Sequence, residues 1–151
     1  MRSYLVVMDE TEEALAALRY AARRAARTGA GVEILALVPK PEFSQWGAVQ
    51  AAMEEEARLR AEAMVAQASG AIAEEAGIKP SITVRHGDPI KAVAELLKER
   101  DDIAALVLAA AGEGGPGPLI SHFAGPAASS LPCPLIIVPA GLGEEALGRL
   151  T

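Results

Sequence analysis

The chain has 151 residues, 51% of them hydrophobic and only 3% aromatic, with a net charge of -6 and a pI near 5.0. That length suits one domain, and the apolar content supports a full core of Ala, Leu, Ile and Val while excluding general disorder. The acidity excludes a general nucleic-acid or anionic-membrane binder, and the lone Cys133 excludes an intrachain disulfide framework or a multi-cysteine metal site.

Residues Tyr4 to Met8 form a continuous apolar run ending at Asp9. Such a run fits a strand buried on both faces. It is too short for a signal peptide, and no later stretch is long enough to span a bilayer, so a soluble cytoplasmic protein is expected. Asp9 or Thr11 can cap a helix from Glu12 to Arg27, whose apolar face is Leu15, Leu18, Ala21, Ala22 and Ala25. Arg19, Arg23 and Arg27 lie on one flank, which reads as a solvated face rather than a phosphate site. Gly29 and Gly31 end the helix.

Val32 to Val38 is the second strand, closed by Pro39 and Pro41. The connection Lys40–Gly47 carries Phe43 and Trp46, which suit a partner surface or a lid over the open end of the sheet equally well. Ala48 to Ala76 then predicts one long helix, with Glu54–Arg58 and Glu56–Arg60 as surface pairs. On that helix, Glu54, Glu55 and Glu56 read as a solvated face, not a metal site.

Ser81 to Arg85 alternates and is β-branched, as in a third strand near the sheet edge. His86-Gly87-Asp88-Pro89 follows, where Asp88 or Gly87 can cap and Pro89 takes a first-turn position. Ile90, Val93, Ala94 and Leu97 give the next helix its apolar face. Ile103 to Leu108 is the fourth strand. A glycine loop over Gly112–Gly117, a short helix near Ile120–Ser130 and a fifth strand, Leu135–Val138, complete the pattern.

Strands alternating with helices predict an α/β fold: an open, doubly wound, parallel sheet with right-handed crossovers and helices on both faces. Ligands in such sheets sit beyond the carboxyl ends of the strands. That rule singles out Asp9, Val38–Lys40, His86–Asp88 and Gly112–Gly117. Glycines admit positive φ and close approach of a phosphate to the backbone. The loop nevertheless lacks P-loop spacing, contains no Lys or Arg, and carries Glu113, Pro116 and Pro118. Read alone, it suits a tight structural turn and an anion site equally.

With Val7-Met8-Asp9, with His86-Gly87-Asp88-Pro89, and with Gly112, Gly115 and Gly125 ahead of Pro132-Cys133-Pro134, the chain resembles the universal stress protein family over nearly its whole length. The glycines match the G-x2-G-x9-G spacing of the family's nucleotide-binding branch. Pro126 stands where that branch has Ser or Thr. The resemblance implies a five-stranded sheet of order 3-2-1-4-5, related to the adenine nucleotide hydrolase-like folds, over residues 1–139. Residues 140–151 are then a tail, left open between a free end and a short helix packed on a second subunit. It also implies a homodimer built along the last strand.

In that branch the residue matching Asp9 lies near the nucleotide. The backbone matching Val38 meets the base, and the glycines matching Gly112, Gly115 and Gly125 wrap the phosphates. ATP or AMP, with Mg²⁺ as an option, is therefore the implied ligand of Asp9, Val38, Gly112, Gly115, Gly125 and Pro126. A non-catalytic stress-response module is the first reading. A ligand-free dimerisation or adaptor module is the second, and a slow ATPase the third.

Catalytic residues are not expected. Ser121 and His122 are adjacent, with no nucleophile elbow, and read as the start and first turn of a helix. His86 reads as a packing or locally bonded residue. Cys133, between two prolines, reads as a structural thiol. Two histidines make no zinc site.

Overall fold

The computed structural model describes residues 1–38 and 47–151. The expectations for Phe43 and Trp46 lie outside the described residues. The elements run β1 (Ser3–Met8), α1 (Glu13–Thr28), β2 (Gly31–Val38), α2 (Gly47–Ala76), β3 (Ser81–His86), α3 (Pro89–Glu99), β4 (Ile103–Ala109), α4 (Pro118–Phe123), β5 (Leu135–Val138) and α5 (Glu144–Leu150), with a single 3-10 turn at Ala128–Ser130. The five strands form one sheet in the order β3-β2-β1-β4-β5, and every pairing is parallel. β3 is an edge strand, as its alternation predicts.

β1, β2 and β4 are buried on both faces, which explains why they are almost wholly apolar, Glu33 of β2 excepted. Alternate residues divide the core between the two sides of the sheet. Val6, Met8, Ile34 and Val107 pack with α1 and α2, whereas Leu5, Val7, Leu35 and Leu106 pack with α3 and α4. The contacts of α1 are small: Ala14, Ala17, Ala21, Ala22 and Ala25 are all buried beside Leu18. Alanine removes the bulk that would hold the helix off the sheet and is the best helix former. This is how a chain with few aromatics fills its core.

Local chemistry sets the helix ends. Asp88 caps α3 by accepting from the Ile90 amide at 3.0 Å, with Pro89 in the first turn, as expected. Gly29 ends α1 with φ of 71°, the left-handed conformation of a helix C-cap. At the start of α1 the expected cap is not made. Asp9 Oδ1 instead accepts from the Thr11 amide at 3.0 Å and from the Thr11 hydroxyl, closing its own turn, and Glu12 takes the N-cap position without a side-chain bond.

Other expectations need correction. The short helix does not run from Ile120 to Ser130. α4 starts at Pro118 behind Gly117 and ends at Phe123, followed by the 3-10 turn. Ser121 therefore sits inside α4, not at its start. The pairs Glu54–Arg58 and Glu56–Arg60 do not form: Arg58 bridges Glu55 and Glu62, while Arg60 reaches Glu10 at 3.3 Å. These side chains remain solvated, as predicted.

The arginine flank of α1 is not simply solvated either. Arg19 and Arg23 each bridge Glu75 of α2 and Glu144 of α5. Arg24 and Arg27 donate to the carbonyls of Thr151 and Gly148, both at 3.2 Å. α5 thus lies along α1 of the same chain, and Leu147 is buried beneath it.

A buried charge sits at the amino end of the sheet. Glu33 of β2 is 2% exposed. Its carboxylate pairs with Arg100 at 2.5 Å and accepts from the Thr83 hydroxyl at 3.3 Å. Arg100 also grips Asp102 with two bonds, of 2.7 and 2.8 Å. The bonds to Asp102 and then to Glu33 raise the Arg100 pKa above its ordinary value, and Arg100 in turn lowers that of Asp102.

Candidate functional site

Strand order reverses between β1 and β4, because the chain leaves β1 towards β2 on one side and returns with β4 on the other. The loops above these two strands part and leave a crevice of about 140 Å³. Val7, Ala14, Ala17 and Leu108 line its apolar part. Asp9, Thr11 and Glu13 form the wall from β1 into α1, and Pro116, Gly117 and Pro118 the wall above β4. Pro89 closes a third side.

The loop over the crevice is a built turn. The Ala111 amide donates to the Pro116 carbonyl at 3.3 Å, and Gly117 accepts from Ser121 at 3.0 Å as α4 begins. Gly114, Gly115 and Gly117 have φ of 75°, 92° and 98°. Any Cβ there would be strained, so these three glycines are required by the turn itself.

The residues singled out by spacing separate on the fold. Asp9 lines the crevice directly. Gly112 and Gly115 lie on the exposed outer part of the loop beside it. Gly112 has no positive φ, and a Cβ on it would meet nothing within 4 Å. Gly125 and Pro126 are exposed beyond α4 and do not line the crevice. A Cβ on Gly125 would come within 2.5 Å of the Ser121 carbonyl oxygen, so packing of the chain against α4 accounts for that glycine. The Val38 side chain faces away, into a small cluster with Ala57 and Ala61 of α2.

Glu13 and Pro89 line the crevice without having been singled out for it, and Gly117 lies in the loop named by the strand-end rule but outside the G-x2-G-x9-G spacing. Gly117 had a signal, since it precedes a proline able to start a helix. Glu13 had none, because an acidic residue in a first helical turn is ordinary.

Among the described lining residues there is no Lys, Arg or His, and two carboxylates are present. A phosphate brought to about 5 Å from one of them meets a repulsion of roughly 3 kcal/mol at an effective dielectric of about 20, less where water enters. Three of the lining residues are prolines, which donate no N–H.

The side chains available for catalysis do not converge. His86 ends the edge strand β3, with β2 and β1 between it and β4. Ser121 is exposed on α4, and the His122 ring makes an edge contact with Phe123 at 4.9 Å. Cys133 is half-buried, and burial pushes its thiol up while a hydrogen bond from the Leu106 backbone draws it partly back. It is a poor nucleophile. Among the described residues no cluster of three or more His, Cys, Asp or Glu could hold a metal ion, and no helix is long and apolar enough to cross a membrane.

A five-stranded parallel sheet of order 3-2-1-4-5, covered by helices and cleft at its reversal point, defines an open, Rossmann-like α/β protein with a crevice between β1 and β4, the place where sheets of this class take ligands. The model of the universal stress protein family matches residues 1–139, and the chain belongs to that family. Its fold is similar to that of a universal stress protein, UspA, from Lactobacillus plantarum, at 22% identity and a TM-score of 0.74, covering 91% of this chain and 97% of that one. A universal stress protein from Archaeoglobus fulgidus gives 18% identity and a TM-score of 0.69, covering 91% and 98%. A structure of the Archaeoglobus fulgidus universal stress protein in complex with dAMP gives 19% identity and 0.60, again covering 91% and 98%. Among curated protein sequences, none matches the chain.

Proposed function

We propose that this chain is a non-catalytic regulatory module that takes an adenine nucleotide of low charge in the β1–β4 crevice and works as a homodimer. The observation that carries the reading is the crevice itself, at the strand-order reversal and beneath a loop held by Gly114, Gly115 and Gly117. A family relative with dAMP bound supports the ligand class. The carboxylates of Asp9 and Glu13 favour AMP over ATP, because each added phosphate increases the repulsion. Mg²⁺ takes oxygen donors of this kind, and if Asp9 and Glu13 held it, its charge would offset the repulsion that these carboxylates otherwise exert on a phosphate. The Gly112–Gly125 segment would respond to the ligand by a shift between loop arrangements.

Dimerisation is assigned to β5. It is a four-residue edge strand whose Ile137 is 44% exposed, and an open apolar edge is a template for pairing with another strand. The experiment is release of nucleotide from purified, denatured protein, followed by titration with AMP and ATP with and without Mg²⁺. AMP binding in the micromolar to low millimolar range is expected. No released nucleotide and no binding at millimolar concentration removes the reading.

A second reading, a ligand-free dimerisation or adaptor module, draws on the same acidic, proline-lined crevice. It predicts that disrupting β5 abolishes function in cells while Asp9→Asn with Glu13→Gln, which alter the crevice and leave the glycine turn in place, leave it intact.

A further inference from the structure

Resting on the proposal that the crevice takes an adenine nucleotide, we propose that it selects by charge down to zero: the uncharged nucleoside is its preferred ligand, and Asp9 and Glu13 are the residues that discriminate against phosphate. The crevice holds only about 140 Å³, well under the roughly 300–1,000 Å³ of pockets that enclose a drug-sized ligand. The base of a nucleoside would occupy it with the ribose at its mouth, and a phosphate chain would lie outside it, across the loop.

The loop offers that chain little. Pro116 and Pro118 have no N–H, and Glu113 stands exposed between Gly112 and Gly114. The amino end of α3 meets the crevice at Pro89 and is capped by Asp88, and α4 opens on Pro118, which has no N–H; the longest helix to present an amino end there is the 16-residue α1. That end is already answered by its own acids: Glu12 occupies the N-cap, Glu13 the first turn, and Asp9 the turn before. What the carboxylates can do is accept hydrogen bonds, and the hydroxyls of a ribose are donors of the right kind. Asp9 Oδ1 is engaged by Thr11. The described hydrogen bonds leave Asp9 Oδ2 and both oxygens of Glu13 for a ligand. Apolar contact from Val7, Ala14, Ala17 and Leu108 suits the flat face of a base.

The test is calorimetric titration of the full chain with adenosine, AMP and ATP in metal-free buffer containing EDTA, at low and high salt. Adenosine should bind tightest, with AMP about tenfold weaker and ATP weaker again. The gap should shrink at high salt, because screening acts on the repulsion and not on the apolar contacts. Glu13→Gln should bring AMP at least about threefold closer to adenosine. The salt series on the parent protein decides the matter even if that variant folds poorly. AMP binding as tightly as adenosine, or a gap that salt and Glu13→Gln leave unchanged, overturns this proposal and leaves the nucleotide reading standing. If none of the three binds at millimolar concentration, the nucleotide reading itself fails, and this one with it.

Discussion

Gly125 belongs to the glycine spacing that resembles a phosphate loop, and its surroundings assign it a different task. In Gly125→Ala the new Cβ would stand 2.5 Å from the Ser121 carbonyl oxygen, whereas ordinary van der Waals contact begins near 3.4 Å. The two must separate by about 0.9 Å, and neither is free to move. The Gly125 carbonyl accepts from Ala128 at 3.2 Å, and Ala127 donates to His122 at 3.1 Å. Shifting α4 instead displaces Ile120 and Phe123, both buried against the α3 side of the core. Overpacking of this kind costs about 1–3 kcal/mol. In a chain of this length that is a fall in Tm of roughly 4–8 °C for a loss near 2 kcal/mol. The assay is thermal and urea denaturation followed by circular dichroism, without ligand. The urea midpoint should fall at constant slope, the sign of a change in stability alone. A variant that melts within about 1 °C of the parent yet loses nucleotide binding would refute the packing argument and return Gly125 to the ligand.

Arg100→Met should cost about 3 kcal/mol or more by denaturation, because it strands the buried Glu33 carboxylate with only the Thr83 hydroxyl, while a loss under 1 kcal/mol counts against that pairing. Asp88→Ala removes the α3 cap and should cost about 1 kcal/mol, read from the same curves. Stability should also decline as pH is lowered. The pKa of Asp102 is depressed by Arg100, and that of Glu144 by Arg23 and Arg19. Burial works to raise that of Glu75, but Arg23 and Arg19 outweigh it and leave it lowered. Groups depressed in the folded state stabilise it above their unfolded pKa values of about 4, and that stability is lost as pH falls through the folded values. Melting temperatures between pH 6 and pH 3 should trace that loss, and Glu75→Gln should flatten it. Arg23→Ala should loosen α5 selectively, raising amide exchange over Glu144–Leu150 before global stability changes.

The fold was readable because its strongest signals are long and local. Three apolar runs, broken only by Glu33 in β2, named the strands buried on both faces, the β-branched alternation of Ser81–Arg85 placed β3 at an edge, and Asp88-Pro89 announced its helix. Some of the errors have a different origin, contacts between residues far apart in the chain. Arg19 and Arg23 looked solvated because their partners, Glu75 and Glu144, lie on other helices. Glu33 did carry a warning, a lone acid inside a strand otherwise fit for the core, since such a charge needs a partner. α4 was started too late because Pro118 was counted with the loop prolines rather than as a first helical residue. For the candidate site, the sequence pointed to the end of the sheet where the crevice lies, and Asp9 lines that crevice. Spacing alone could not separate Gly117, which lines the crevice, from Gly125, which seats α4.

The crevice also has a history within each molecule. One wall comes from the end of β1 and the other from the turn after β4, more than a hundred residues further along. Early in synthesis the chain can join β1, α1 and β2, and still lack half of the cleft. Contacts of such long sequence separation form late, after the cost of closing the intervening chain has been met. A ligand held between these walls recognises only the finished molecule, and it shifts the folding balance only there, by mass action. Occupancy would therefore count intact copies of the protein as well as free ligand.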